Sequence, residues 1–203
     1  MNFWGYDTNE RFIGAVKFGK DVEVTDPCYT PDLGCGYTAH DFEPGAYNAY
    51  IMMNEDGDRV AELIVYNSEY DTDARKRKIH WEYDGCGIAV DSGQAGFFDE
   101  DYYIEGKKID DAEDGKDFDK MKGFYKDCCN LTLSREPYGV LANGLGTVSS
   151  SGYGDGVYDL LTVKNATGNV IAAKISFIDL DEENDWDDDE DEDECEEEGE
   201  DDE

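Results

Sequence analysis

VYDLLTVKNATGNVIAAKISFI, Val157–Ile178, reads as two strands around a turn. Val157–Lys164 is rich in β-formers. In Val170–Ile178 the residues Ile171, Ala173, Ile175 and Phe177 alternate with smaller or polar ones. Successive side chains of a strand point to opposite faces, so this alternation predicts one buried face. Between the two runs, Asn165-Ala166-Thr167-Gly168-Asn169 supplies residues that tolerate a tight reversal. The stretch is therefore expected to be an antiparallel hairpin.

The same grammar recurs upstream. Ala46–Met53 and Arg59–Tyr66 flank Asn54-Glu55-Asp56-Gly57-Asp58, a second hairpin pattern. Val22 and Val24 alternate with acids before Thr25-Asp26-Pro27, where the proline ends pairing. Lys78–Tyr83, Gly87–Val90 and Gly96–Phe98 continue the series, with Asp84-Gly85 as a turn. One segment reads as helix, over about 117–130: Asp117 can cap it, and Phe118, Met121, Tyr125 and Cys128 recur at helical spacing. With 22 glycines, only four prolines and no internal repeat, the expected fold is mostly β. It is an antiparallel β-sandwich or barrel-like single domain with one helix.

Charge divides the chain. Asp179–Glu203 holds 20 of the 52 acidic residues and no Lys or Arg, which leaves 32 acids against 17 basic residues in Met1–Ile178. So dense a block of like charge repels itself and buries too little apolar surface to offset chain entropy. The expectation is a globular domain over 1–178 and a disordered acidic tail over 179–203. Direct nucleic-acid binding is excluded by the acidic body, because phosphate recognition needs clustered Lys and Arg. The single basic cluster, Arg75-Lys76-Arg77-Lys78, is flanked by acids and reads as a solvated strand entry. No signal-peptide pattern opens the chain, and no apolar run is long enough to span a bilayer. A cytoplasmic protein with reduced thiols and no membrane contact is expected.

Several chemistries fail on spacing. The six cysteines form no CxxC and no zinc-ribbon pair. His80-Trp81-Glu82 carries the H-x-E half of a zinc deaminase signature without its P-C-x-x-C half. Reading Asn54–Asp58 as a calcium loop would put Met52 and Leu63 where oxygen ligands are required. Cys28 could pair with His40 or His80, but the surrounding negative charge disfavours a thiolate. Neither a G-x-S-x-G elbow nor a Walker lysine is present.

What remains is a set of aspartates at strand ends: Asp26 before Pro27, Asp91 in Val90-Asp91-Ser92-Gly93-Gln94, Asp99 after Phe97-Phe98, and Asp155 in Gly154-Asp155-Gly156. Each can cap its own turn by accepting from backbone N–H groups. If the turns converge, Asp26, Asp91 and Asp155 could instead hold a hard divalent cation or form a carboxylate pair. Gly152, Gly154 and Gly156 allow a bulged or left-handed turn into the last hairpin, beside Ser149, Ser150 and Ser151 in a loop-forming position.

Four motifs occur in order: Asp26-Pro27-Cys28-Tyr29, Pro44-Gly45-Ala46-Tyr47, Val90–Asp99 and Ser151-Gly152-Tyr153-Gly154-Asp155-Gly156-Val157-Tyr158. Together, over roughly Val22 to Ile178, they resemble a bacterial and phage family catalogued as domain of unknown function 4241. The resemblance implies no reaction. It groups Asp26, Asp91, Asp99 and Asp155.

The reading favours binding over catalysis. The expected function is a non-catalytic module that takes a small molecule or protein at the rim formed by these turns. Its candidate ligand-binding residues are Asp26, Tyr29, Trp81, Asp91, Gln94, Asp99, Ser151, Tyr153 and Asp155. The alternatives are a metal-assisted hydrolase using Asp26, Asp91 and Asp155 with a divalent cation, and a phage or mobile-element protein. In the latter, the acidic tail imitates nucleic acid toward a basic protein partner.

Overall fold

The Val157–Ile178 stretch forms its hairpin as β10 (Gly156–Lys164) and β11 (Val170–Ser176), with Leu160 opposite Ile175. Asn165 builds the turn: its Oδ1 accepts from the N–H groups of Thr167 (3.0 Å) and Asn169 (2.9 Å). Gly168 adopts φ 90°, a left-handed value that glycine reaches without a Cβ clash. The computed structural model describes residues 10–31, 35–72, 80–113 and 121–180.

The remaining strands are β1 (Arg11–Phe18), β2 (Val22–Thr25), β3 (Tyr37–Ala39), β4 (Gly45–Met53), β5 (Val60–Asn67), β6 (Glu82–Val90), β7 (Gln94–Asp99), β8 (Tyr138–Val140) and β9 (Gly146–Ser150). They form two antiparallel sheets, one of six strands in the order β1-β4-β5-β11-β10-β6 and one of five in the order β3-β2-β7-β9-β8. The fold is an antiparallel β-sandwich. Its inner faces share one apolar core, with Phe18, Tyr47, Ile51, Leu63, Ile88, Leu160 and Ile175 from the larger sheet meeting Val22, Val24, Ala95 and Phe97 from the smaller. Burying each such large side chain is worth about 1.5–3 kcal/mol before entropy.

Two features differ from the expectation. Asp84-Gly85 is not a turn between strands but an irregularity within β6, where pairing with β10 slips between Asp159 and Leu161. Gly85 takes φ 83° there, and Asp84 is anchored by the Tyr37 hydroxyl at 2.8 Å. Among the described residues two helices stand where one was expected: α1 (Glu100–Glu113) and α2 (Phe124–Thr132). The second begins at Phe124, after Gly123; Asp117 and Phe118, the expected start, lie outside the described residues.

Both helices cover the outer face of the five-stranded sheet, where Phe98 and Val148 pack with Tyr103, Phe124, Cys128 and Leu141. The buried stripe of α1 is Tyr103, Gly106 and Lys107, continued by the half-buried Asp110, at helical spacing but with only one apolar side chain. Gly106 is needed for close approach, since a Cβ there would stand 2.7 Å from Phe124 Cβ. No side chain of α2's own caps its N-terminus. Asp110 of α1 does so, both carboxylate oxygens accepting from Tyr125 N–H at 3.1 Å.

A third apolar group, Met52, Ile64, Tyr66 and Ala172, lies on the outer face of the six-stranded sheet, joined by Trp81 and Leu180. Leu180 also packs against the central core. The acidic segment beyond 180 and the basic cluster at 75–78 lie outside the described residues. No helix among the described residues is long and apolar enough to cross a membrane.

Candidate functional site

Asp26 follows β2 directly and is fully buried. Its carboxylate would be costly there without donors. Four meet it. Oδ1 accepts from Cys28 N–H (2.8 Å) and from the Ser92 hydroxyl (2.6 Å). Oδ2 accepts from Asp91 N–H (2.9 Å) and Ser92 N–H (2.6 Å). Asp26 thus caps its own turn, closed by Tyr29 N–H donating to Asp26 O at 3.2 Å, and also clasps the β6–β7 turn.

The third turn joins through the backbone. Ser151 N–H donates to Gly93 O at 3.1 Å, and Gly156 stands opposite Val90 in the ladder, so Asp155 follows on beside Asp91. Ser149 and Ser150 belong to β9 rather than to the loop; the loop proper begins at Ser151. Its Oγ donates to Gly154 O (2.7 Å), which also accepts from the Tyr158 hydroxyl (2.7 Å). Gly152 holds φ 59°, and a Cβ there would press on Phe177 and Ile178. Tyr153 projects from this turn, 68% exposed, with the Arg59 guanidinium 4.9 Å above its ring.

The structure therefore brings Asp26, Tyr29, Asp91, Ser151, Tyr153 and Asp155 to one end of the sandwich. Gln94 opens β7 at this end but is buried, donating to Cys129 Sγ and accepting from the Thr132 hydroxyl at 2.9 Å, which ties β7 to α2. Asp99 lies at the opposite end of the same strand, where it accepts from Gly19 N–H (2.9 Å) and sits at the start of α1. Trp81 lies off the far end of β6, against Tyr66 and Lys174 on the outer face of the six-stranded sheet. Neither joins the rim.

The rim rests on groups that sequence reading did not single out. Lys107 of α1 is buried, donates to Pro27 O (2.9 Å) and pairs with Asp110 (3.1 Å). Tyr103 donates its hydroxyl to Tyr29 O at 2.7 Å. Eighty residues separate Lys107 from Pro27, and no local pattern announces such a contact. Ser92 could have been suspected, since a serine after a turn aspartate is a ready donor.

Burial pushes the Cys28 thiol up to about 12, and Asp26 adds to the push. A thiol so placed stays protonated and is a poor nucleophile. The carboxylates of Asp91 and Asp155 are exposed and make no hydrogen bond or ion pair with a described residue. With both Asp26 oxygens engaged by protein donors, the rim offers a cation two open carboxylates rather than three. No group of three or more His, Cys, Asp or Glu stands together as a metal-binding set among the described residues. Compared with family models, curated proteins and solved structures, the chain matches none.

Proposed function

We propose that this end of the sandwich is a non-catalytic binding site for a cationic group, carried by a small molecule or by a basic protein segment. The observation that carries the reading is the pair Asp91 and Asp155. They sit on turns fastened together through Asp26 and Gly93, yet their own carboxylates have no partner among the described residues. Exposed carboxylates side by side repel each other, and a bound cation relieves that repulsion. Tyr153 adds a ring face suited to a guanidinium or ammonium, and Arg59 already stacks on it. Of the four motifs that resemble the domain of unknown function 4241, Asp26–Tyr29, the start of Val90–Asp99 and Ser151–Tyr158 meet at these turns, whereas Pro44–Tyr47 and Asp99 lie at the other end. Cys28, Cys86, Cys128 and Cys129 form no disulfide with one another, which is compatible with a reducing, cytoplasmic setting. The acidic C-terminal segment extends the same preference for a basic partner, through charge alone.

Titration of the protein with arginine methyl ester, followed by amide NMR, tests this. Shifts should concentrate at Asp91–Gly93 and Ser151–Asp155 and should fall at least tenfold in apparent affinity in the Asp91→Asn/Asp155→Asn double variant. Calcium chloride run in parallel separates organic-cation binding from metal binding. Equal shifts over the whole acidic surface, unchanged in the double variant, would contradict the proposal.

A further inference from the structure

At the other end of β2, Glu23 is only 5% exposed, yet no lysine or arginine among the described residues pairs with it. Its single hydrogen bond comes from the Thr38 hydroxyl of β3, which donates to Oε2 at 2.8 Å. The other oxygen faces Gly36: a Cβ at that position would stand 2.5 Å from Glu23 Oε1 and 2.9 Å from Thr25 Oγ1. The backbone at Gly36 is therefore laid tightly over the carboxyl. The charged neighbours offer little relief. Glu100 approaches from the first turn of α1, whose Tyr103 also packs nearby. Asp21 lies on the approach to β2, bonded to His40 at 2.6 Å, and Lys20 is taken by Asp41 at 2.9 Å. Four donors compensate the burial of Asp26; among the described residues one hydroxyl and no lysine or arginine face Glu23.

We propose that Glu23 is a proton-binding site that sets the tightness of the seam between β2, the Gly36–Thr38 arm and the start of α1. A neutral carboxyl fits a pocket with one hydroxyl and a close backbone. An ionised one must expel charge toward Glu100 or draw in water. Burial pushes this carboxyl up against the pull of the Thr38 hydroxyl, Glu100 adds to the push, and His40 opposes it. For an acid raised in the folded state, the stabilising contribution is complete below its unfolded value and is lost as pH rises through the folded one. The seam is tight in mild acid and loosens toward neutrality. It does so whether or not the rim binds a cation.

The test is a carboxyl-carbon NMR titration of Glu23 in the full chain, with the amides of Gly36 and Thr38 followed alongside. Glu23 should titrate above the ordinary glutamate value of about 4.3. Gly36 and Thr38 should shift with the same midpoint, and Glu23→Gln should abolish those shifts while His40 goes on titrating. Thr38→Val removes the hydroxyl and should move the Glu23 midpoint further up, which keeps the test open if Glu23→Gln folds poorly. A Glu23 midpoint at or below the ordinary value overturns the proposal. So does titration of Gly36 and Thr38 that persists in Glu23→Gln, or a midpoint indifferent to Thr38→Val.

Discussion

The two sheets handle buried polar groups in different ways. In the six-stranded sheet, Glu62 of β5 is answered by Lys174 of β11, the strand beside it, and Asn54 and Asn67 bond within their own turns. In the five-stranded sheet Glu23, Thr25, Gln94, Thr147 and Ser149 are buried within strands, beside Asp26 at the end of β2. Glu23 and Thr147 bond to the neighbouring strands β3 and β8, but Gln94 takes its partners from Thr132 and Cys129 of α2, and Asp26 most of its donors from the β6–β7 turn. The six-stranded sheet calls on no helix for these groups, whereas at Gln94 and Asp26 the five-stranded sheet depends on a helix and a turn being in place. Functional geometry collects around the second, because groups gathered from distant segments hold a surface in a fixed shape.

The sharpest way to break this contrast is at Asp26. Asp26→Ala leaves three part-buried N–H groups and a hydroxyl without their acceptor, and should cost about 3–4 kcal/mol in urea unfolding. A cost under about 1 kcal/mol would mean that water replaces the carboxylate freely. Next is the helix support. Lys107→Met strands Asp110 without its cation and should cost about 3 kcal/mol at neutral pH. Burial already pushes Asp110 up, against the pull of its backbone bond and Lys107. Without Lys107 it rises further, so the loss should shrink as pH falls and Asp110 takes up a proton. Lys174→Met, whose partner lies on the neighbouring strand near the sheet surface, should cost less, about 1–2 kcal/mol.

The smallest effect is the most diagnostic of packing. Ser149 Oγ is buried between the sheets with no hydrogen-bond partner. Ser149→Ala should therefore be neutral or stabilise by up to about 1 kcal/mol. Ser151→Ala, two residues on, removes the bond to Gly154 O and should destabilise by about 1 kcal/mol. Thermal unfolding of the two variants side by side reads the difference, and a destabilising Ser149→Ala would show that an ordered water completes that hydroxyl.

The same contrast explains what could be read from sequence. The two hairpins of the six-stranded sheet were legible because alternation and turn residues are local: Leu160 and Ile175 face inward, and Asn165 turns its own backbone. Helix α1 was missed because its inward stripe is Tyr103, Gly106, Lys107 and the half-buried Asp110, which carries almost no hydrophobic periodicity. Its lysine and aspartate turn inward only because Pro27 O and Tyr125 N–H meet them there, contacts made at long range. The short strands β3 and β8, of three residues each, give no pattern to count. At the rim, the aspartates were visible from their turns. Which of them had spent its oxygens on the protein, and which had not, depends on partners as far away as 66 residues. Trp81 and Asp99 share the rim's sequence signals but lie off other strand ends, because a strand's two ends are indistinguishable until its pairing is known.

The account rests on Asp26 holding three turns as one unit, and amide hydrogen exchange in Asp26→Asn measures that directly. Asparagine keeps the size and one acceptor but turns a donor toward the N–H groups of its partners. The amides of Cys28, Asp91, Ser92 and Ser151 should all exchange on the order of tenfold faster, equivalent to about 1.4 kcal/mol. Those of the Asn54–Asp58 turn, at a hairpin with its own local bonds, should not change. Acceleration confined to Cys28, with Asp91, Ser92 and Ser151 protected as before, would show that the turns stand independently and that no shared rim exists.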